Sequence, residues 1–223
     1  MSYEARLQAR PAQVQASAPT GRQALKLGSS RDSFLYVPAH YAAPQPLPLV
    51  LLLHGAGGHA HHGLDLLQHL ADESGLILLA PASIAHTWDV IAYSAYGSDV
   101  ALIDQALAYV FHRYAIDTSH LAIGGFSDGA SYALSLGLAN GDLFTHVIAF
   151  SPGFVAPISP HGQPRIFITH GTRDDVLPID ACSRRIVPLL RRAEYDVAYE
   201  EFDGPHTLPA ETAQRAVTWF MQP

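Results

Sequence analysis

The sequence predicts an α/β fold, with a mostly parallel central sheet, helices on both faces and no separate lid domain. Apolar runs of strand length alternate with helix-period segments from about residue 32 to the end of the chain. The runs Leu47 to Leu53 and Leu76 to Ala80 are continuous rather than alternating, the pattern of strands covered on both faces. No insertion between these segments is long enough to form a second domain.

In chain order, residues 1–22 have a loop-like composition rich in Ala and Gln, with Pro, and are expected to form an N-terminal extension or an edge strand. Residues 23–223 are expected to form one domain. Asp32 to Val37 is a strand stopped at Pro38, and Leu47 to Leu53 is the first doubly buried strand. A glycine-rich turn follows, and then Leu64, Leu67, Leu70 and Ala71 predict a helix up to Glu73. Gly75 punctuates before the strand Leu76 to Ala80. Ser98-Asp99 caps a helix to about Tyr114, with Val100, Ile103, Leu107 and Val110 along one face. Leu121 to Gly124 is a short strand, Ala130 to Leu138 a helix halted by Asn140-Gly141, and 146–150 and 165–169 are further strands. Pro178 to Ala193 reads as a helix, Val197 to Phe202 as a strand and Ala210 to Phe220 as the closing helix.

Composition narrows the function. A formal net charge of -7 without a basic cluster argues against nucleic acid as a partner. Cys182 is the single cysteine, so an intrachain disulfide and a four-thiolate zinc site are excluded, and on its expected helix it reads as a small filler. The N-terminus lacks the apolar core of a signal peptide, and the longest apolar run, Pro48 to Leu53, is far too short to span a bilayer. These features lead to the expectation of a cytoplasmic protein without a membrane span.

Ligand sites of open α/β sheets lie beyond the carboxyl ends of the strands, so chemistry-bearing residues should follow strands directly. Gly125-Phe126-Ser127-Asp128-Gly129 does so, and it matches G-x-S-x-G. That pattern puts a serine on a sharp strand-to-helix turn, with glycines that let the two elements approach. A serine hydroxyl needs a base, and His206 in Asp-Gly-Pro-His follows the last strand and precedes the last helix. An acid should then orient the imidazole; Asp174 and Asp175 both follow the strand at 165–169, and spacing alone does not separate them. Asp180 reads instead as a first-turn residue of the next helix. His54 to Gly58 follows the strand at 47–53, where one backbone donor to an oxyanion is needed, and the N–H of Asp128 would be the other. Gly57, Trp88 and Val176 lie where they would border the substrate, although an ordinary packing role suits Trp88 equally well. His59, His61 and His62 lack a carboxylate or thiolate at ligand spacing, so no metal is expected, and the chemistry requires no cofactor.

The four segments Leu-Leu-Leu-His-Gly-Ala-Gly-Gly at 51–58, Gly-Gly-Phe-Ser-Asp-Gly-Ala at 124–130, His-Gly-Thr-Arg-Asp-Asp-Val-Leu-Pro at 170–178 and Gly-Pro-His at 204–206 carry a resemblance. Together they resemble the phospholipase/carboxylesterase branch of the α/β-hydrolases, and they are similar to small esterases related to polyhydroxyalkanoate depolymerases and feruloyl esterases. The resemblance spans about residue 20 to the C-terminus. It implies the α/β-hydrolase fold, Ser127, Asp174 and His206 as catalytic residues, and Ala56 and Asp128 as oxyanion donors. The family pattern H-G-x-x-D-x-x-x-P falls on Asp174. It further implies a carboxylesterase taking small-molecule esters of short or medium acyl chain. Feruloyl or acetyl-polysaccharide esters and thioesters are alternatives with the same residues, and a binding module or acyltransferase is an alternative of another class. Asp128 stands where acyl-protein thioesterases carry glutamine, which weighs against an acyl-protein substrate.

Overall fold

A computed structural model describes residues 5–14, 18–28, 30–156 and 158–222. Among these, an eight-stranded sheet runs in the order β1-β2-β4-β3-β5-β6-β7-β8. The strands are β1 (Gly21–Leu25), β2 (Ser33–Val37), β3 (Leu47–Leu53), β4 (Ile77–Ala80), β5 (Ile116–Phe126), β6 (His146–Phe150), β7 (Arg165–Gly171) and β8 (Val197–Phe202). The hairpin β1–β2 and the pair β2–β4 are antiparallel, and every other pairing is parallel. The helices are α1 (Ala60–Asp65), α2 (Ala71–Ser74), α3 (Asp89–Tyr93), α4 (Ser98–Phe111), α5 (Asp128–Ala139), α6 (Ser183–Arg192) and α7 (Ala210–Phe220).

The unbroken apolar run of β3 follows from its place between two layers. Leu49, Leu51 and Leu53 pack with α4, α5 and α6 on one face, whereas Val50 and Leu52 pack with α1 and α7 on the other. The chain order reverses beside β3, with β4 on one side and β5 on the other. The loops leaving β3 and β5 therefore open next to one another at the carboxyl edge, the switch point where such sheets take ligands.

Several expected elements differ in detail. The helix expected up to Glu73 is divided into α1, a 3₁₀ turn Gln68–Leu70 and α2. Its apolar residues Leu64, Leu67 and Leu70 recur every three positions, which suits 3₁₀ geometry better than a continuous 3.6-residue helix. The helix expected from Pro178 starts at Ser183, because 178–182 close tight turns through Ala181 N–H to the Pro178 carbonyl and Cys182 N–H to that of Ile179. Asp180 thus precedes the helix and pairs with Arg184 at 2.9 Å, while Cys182 is a buried residue at the cap. Strand β5 begins five residues earlier than its apolar run, since polar Asp117 to His120 continue it.

The boundary expected at 22/23 falls inside β1. The described part of the preceding segment docks on the same core: Leu7 is fully buried, and its N–H donates to Asn140 Oδ1 at 2.8 Å. Asn140 Nδ2 donates to the Ala5 carbonyl at 2.6 Å, and Arg6 pairs with Asp142 at 2.7 Å. Residues 1–4 and 15–17 of that segment lie outside the described residues. No described helix is long and apolar enough to cross a membrane.

At the amino edge of the sheet, His146 is buried against the edges of Trp219 and Phe220, ring centroids 5.2 and 5.1 Å away, and its Nε2 has no hydrogen-bond partner. Burial, with the nearby charge of Arg165, lowers its pKa to about 4. A ring kept neutral in the folded state but free to protonate near pH 6.5 when unfolded loses stability as pH falls from 6.5 through 4. Replacing His146 by Phe removes that contribution. In urea unfolding, the stability of His146→Phe relative to the parent should rise by about 2 kcal/mol between pH 7 and pH 5; a constant difference would show that the ring is not held neutral.

Candidate active site

Ser127 stands between β5 and α5 with φ 59° and ψ -122°, a conformation a non-glycine residue adopts only when its surroundings impose it. Its N–H donates to the Phe150 carbonyl at 2.9 Å, and its carbonyl accepts from Ser131 N–H at 3.0 Å. The flanking glycines make the turn sterically possible. A Cβ on Gly125 would lie 2.6 Å from the Leu53 carbonyl oxygen, and one on Gly129 would overlap that same carbonyl.

The hydroxyl of Ser127 donates to His206 Nε2 at 2.9 Å, and His206 Nδ1 donates to Asp174 Oδ2 at 2.6 Å. Phe126 packs on the imidazole with centroids 4.6 Å apart. Asp174 Oδ1 accepts from the N–H groups of Val176 at 3.0 Å and Leu177 at 2.8 Å. Burial alone would push its carboxyl up, but the bonds from His206 and from these backbone donors outweigh burial and hold it below the ordinary carboxylate value. Of the two aspartates that spacing left open, Asp174 is the one in contact with His206. Asp175 is exposed on the same turn.

Gly55 to Gly58 forms a turn closed by Gly58 N–H to the Gly55 carbonyl at 3.0 Å, with Gly57 at φ 66°, the left-handed position that favours glycine. A Cβ on Gly55 would come 3.3 Å from Ser127 Cβ, so the turn abuts the serine, with Ala56 exposed at its crest. Asp128, the first residue of α5, accepts from Thr87 Oγ1 at 2.6 Å. A hydroxyl next to an imidazole–carboxylate pair, between a helix start and a glycine turn, can attack an electrophilic carbon and pass its proton to His206.

Of the residues expected to border substrate, Gly57 and Val176 are exposed on the loops leaving β3 and β7. Trp88 is fully buried instead. Its Nε1 donates to the His54 carbonyl at 2.9 Å and its ring stacks on Tyr132, so it supports the β3 loop from beneath rather than lining a surface. His59 and His62 are engaged locally, with His62 Nδ1 accepting from His59 N–H at 3.0 Å. Among the described residues no group of three or more His, Cys, Asp or Glu side chains is arranged to hold a metal ion.

Two buried histidines escaped the sequence reading as parts of the site. His54 Nε2 accepts from Ser83 N–H at 3.0 Å, which leaves the ring proton on Nδ1 to bond the Gly55 carbonyl at 2.7 Å. Burial lowers its pKa to about 4, so it is neutral near pH 7. His170 accepts from the Ser183 hydroxyl through Nδ1 at 2.7 Å and donates from Nε2 to the Leu177 carbonyl at 2.8 Å, with Asp174 Oδ2 at 3.2 Å. Burial lowers its pKa as well, against the pull of those acceptors. The available signal was the His-Gly pair at the ends of both strands.

With this geometry in place, the comparisons with known proteins can be read. The parallel sheet, its strand order and the serine turn are those of the α/β-hydrolase fold. In agreement, an S-formylglutathione hydrolase of Staphylococcus aureus matches with a TM-score of 0.74 at 18% identity, over 94% of this chain and 99% of that one. A ferulic acid esterase of Anaeromyces mucronatus, solved in complex with ferulic acid, matches with a TM-score of 0.66 at 20% identity, over 97% and 98%. The model of the Esterase family matches residues 25–207, and the chain belongs to that family. The "Probable feruloyl esterase C" of Aspergillus oryzae is 30% identical over 164 residues, 68% of this chain and 58% of its own length. The chain thus spans little more than half of that relative.

Replacing His170 by Leu would strand the Ser183 hydroxyl and the Leu177 carbonyl in the interior and remove a donor beside Asp174. A loss of about 2–4 kcal/mol in unfolding free energy is expected, together with slower labelling of Ser127 by a fluorophosphonate. Unchanged labelling in the folded variant would mean that His170 does not support Asp174.

Proposed function

We propose that this chain is a serine carboxylesterase that hydrolyses short- or medium-chain carboxylic esters through an acyl-enzyme on Ser127. The observation that carries this reading is the continuous hydrogen-bonded series Asp174–His206–Ser127, with spacings of 2.6 and 2.9 Å. Membership of the Esterase family supports it.

In the proposed reaction, Ser127 Oγ attacks the acyl carbon as His206 Nε2 takes its proton. The carbonyl electron pair moves onto oxygen, which faces the N–H groups of Ala56 and Asp128. Collapse of the adduct breaks the bond to the alcohol oxygen, and His206 returns the proton to that leaving group. Water, deprotonated by His206, then attacks the acyl-enzyme and regenerates Ser127. Asp174 stays ionised throughout and stabilises the imidazolium, consistent with the lowered pKa of its carboxyl.

A second substrate reading, feruloyl or acetyl esters on polysaccharide, is favoured by exposed apolar side chains at the carboxyl edge of the sheet. Ile84, Phe154 and Val176 are exposed large apolar side chains on the loops leaving β4, β6 and β7, at the same edge as Ser127. An open apolar rim suits an aromatic acyl group presented by a bulky alcohol. The names of the Aspergillus relative and of the Anaeromyces neighbour point the same way. A thioester would use the same residues, whereas a pure binding module would not require the hydrogen-bonded series.

A fluorophosphonate should label the protein at Ser127 and fail on Ser127→Ala. Alanine at Ser127, Asp174 or His206 should lower kcat for p-nitrophenyl acetate by about 10³-fold or more, while Asp175→Asn stays within about threefold. Absence of labelling in folded protein would refute the mechanism. Relative kcat/KM across p-nitrophenyl esters of increasing chain length, methyl ferulate and an acyl thioester then decides between the substrate readings.

A further inference from the structure

The glycine turn 55–58 is closed by one internal hydrogen bond, Gly58 N–H to the Gly55 carbonyl at 3.0 Å, which alone fixes little of its shape. Three of its four residues are glycine, and glycine has little conformational preference. An N–H that is to meet developing negative charge must nevertheless be aimed before the reaction, because aiming it afterwards costs reorganisation. The restraint must therefore come from outside the turn. Some of it comes from the segment after β4. Ser83 N–H bonds His54 Nε2 at 3.0 Å, Gly57 N–H bonds the His86 carbonyl at 2.7 Å, and Trp88 Nε1 bonds the His54 carbonyl at 2.9 Å.

The remaining restraint comes from a distant part of the chain. Arg31 lies in the connection of the β1–β2 hairpin, at the antiparallel end of the sheet. Its Nη1 donates to the Ser83 carbonyl at 2.8 Å, to Ser83 Oγ at 3.1 Å and to the Ala85 carbonyl at 2.6 Å. Its Nη2 donates to the Gly58 carbonyl and to His59 Nδ1, the latter at 2.9 Å. One guanidinium thus joins the last residue of the glycine turn, the first residue after it and the segment that braces the turn from the side. Asp99, whose carboxylate accepts from Ile84 N–H at 2.8 Å, braces the same segment from behind.

We propose that Arg31 is a positioning residue for the oxyanion-binding turn. Its planar fork locks Gly58 against 83–85, which keeps the turn seated against Ser127 Cβ, where the N–H of Ala56 is read as an oxyanion donor. The inference rests on the reading of Ser127 as nucleophile. Arg31 itself touches no reacting atom. A lysine at 31 would keep the charge but supply three donors from one nitrogen, which cannot span carbonyls in two loops as the guanidinium does.

The test uses the full chain as wild type, Arg31→Lys and Arg31→Ala. Three readouts are compared: p-nitrophenyl acetate kinetics, inhibition by an aryl trifluoromethyl ketone, and amide exchange in the peptide covering 54–59. The ketone accepts Ser127 Oγ at its carbonyl carbon, with the serine proton passing to His206, and its oxygen becomes the anion that the turn must bind.

For Arg31→Ala, kcat should fall about 10- to 100-fold with KM within about threefold, and ketone affinity should fall by a similar factor. Exchange in 54–59 should accelerate at least about tenfold, free guanidinium ion at low millimolar concentration should restore part of kcat, and Arg31→Lys should lie between the two. The proposal is overturned if folded Arg31→Ala keeps kcat within about threefold and exchanges at the wild-type rate. It is equally overturned if kcat falls while ketone affinity and exchange stay unchanged. Should Arg31→Ala fail to fold, Arg31→Lys is judged by the same criteria. If the wild type hydrolyses no ester, the esterase reading fails and amide exchange alone decides whether Arg31 restrains the turn.

Discussion

The whole arrangement depends on the close approach of β5, its exit turn and β3. Ser127 is held at φ 59° because the backbone of Gly129 is pressed against the carbonyl of Leu53, the last residue of the neighbouring strand. That contact is available only because β3 and β5 are parallel neighbours in register, Leu53 opposite Gly125. The same register brings the turn that follows β3 against Ser127 Cβ. One strand pair therefore positions Ser127 and the glycine turn beside it, and it does so through backbone geometry before any polar side chain is involved. The core beneath is closely packed, with β3 buried on both faces and Trp88 in ring contact with both His54 and Tyr132.

The parts that lie outside this strand pair reach it by hydrogen bonds. His206 comes from the loop after β8 and Asp174 from the turn after β7, two strands that lie successively further along the same parallel ladder. Gly171 keeps these two loops in contact, since a Cβ there would fall 2.6 Å from the Pro205 carbonyl oxygen. The sequence order serine, acid, histidine is thus a consequence of strand order, and the fold brings the three together by ending β5, β7 and β8 at one edge.

How much was legible follows the same division. Elements with strong apolar periodicity, such as β3, β6, β8 and α7, were readable to the residue. Ser127, His206 and the aspartate pair could be found because each follows a strand directly. Choosing Asp174 over Asp175 needed the family pattern, since one residue of difference on a turn decides which carboxylate meets His206 and leaves no trace in composition. Loop position left Trp88 open to either bordering the substrate or packing, and its indole is folded back into the core to bond the His54 carbonyl. Arg31 was not legible at all. It reads as an ordinary charge in a hairpin connection, and its contacts span 27 to 54 residues of sequence. Edge strand β1, with Leu25 its only buried residue, was too polar to announce itself as more than a possibility.

Two buried histidines brace the loops at the ends of β3 and β7, His54 directly after β3 and His170 as the last residue but one of β7. Each loop must be anchored at a strand end where the backbone leaves the sheet and its donors and acceptors lose their ladder partners. A neutral imidazole meets that need with one donor and one acceptor on a rigid ring, provided burial keeps it from charging. His54 uses its pair to tie Ser83 N–H to the Gly55 carbonyl; His170 uses its pair to tie the Ser183 hydroxyl to the Leu177 carbonyl. A carboxylate in either position could accept but not donate, and an amide would lack the reach of the ring. The histidine–glycine pairs are therefore structural anchors for the turn at 55–58 and for the turn that carries Asp174. His206, which touches Ser127, keeps its side chain 13% exposed, whereas His54 and His170 are buried.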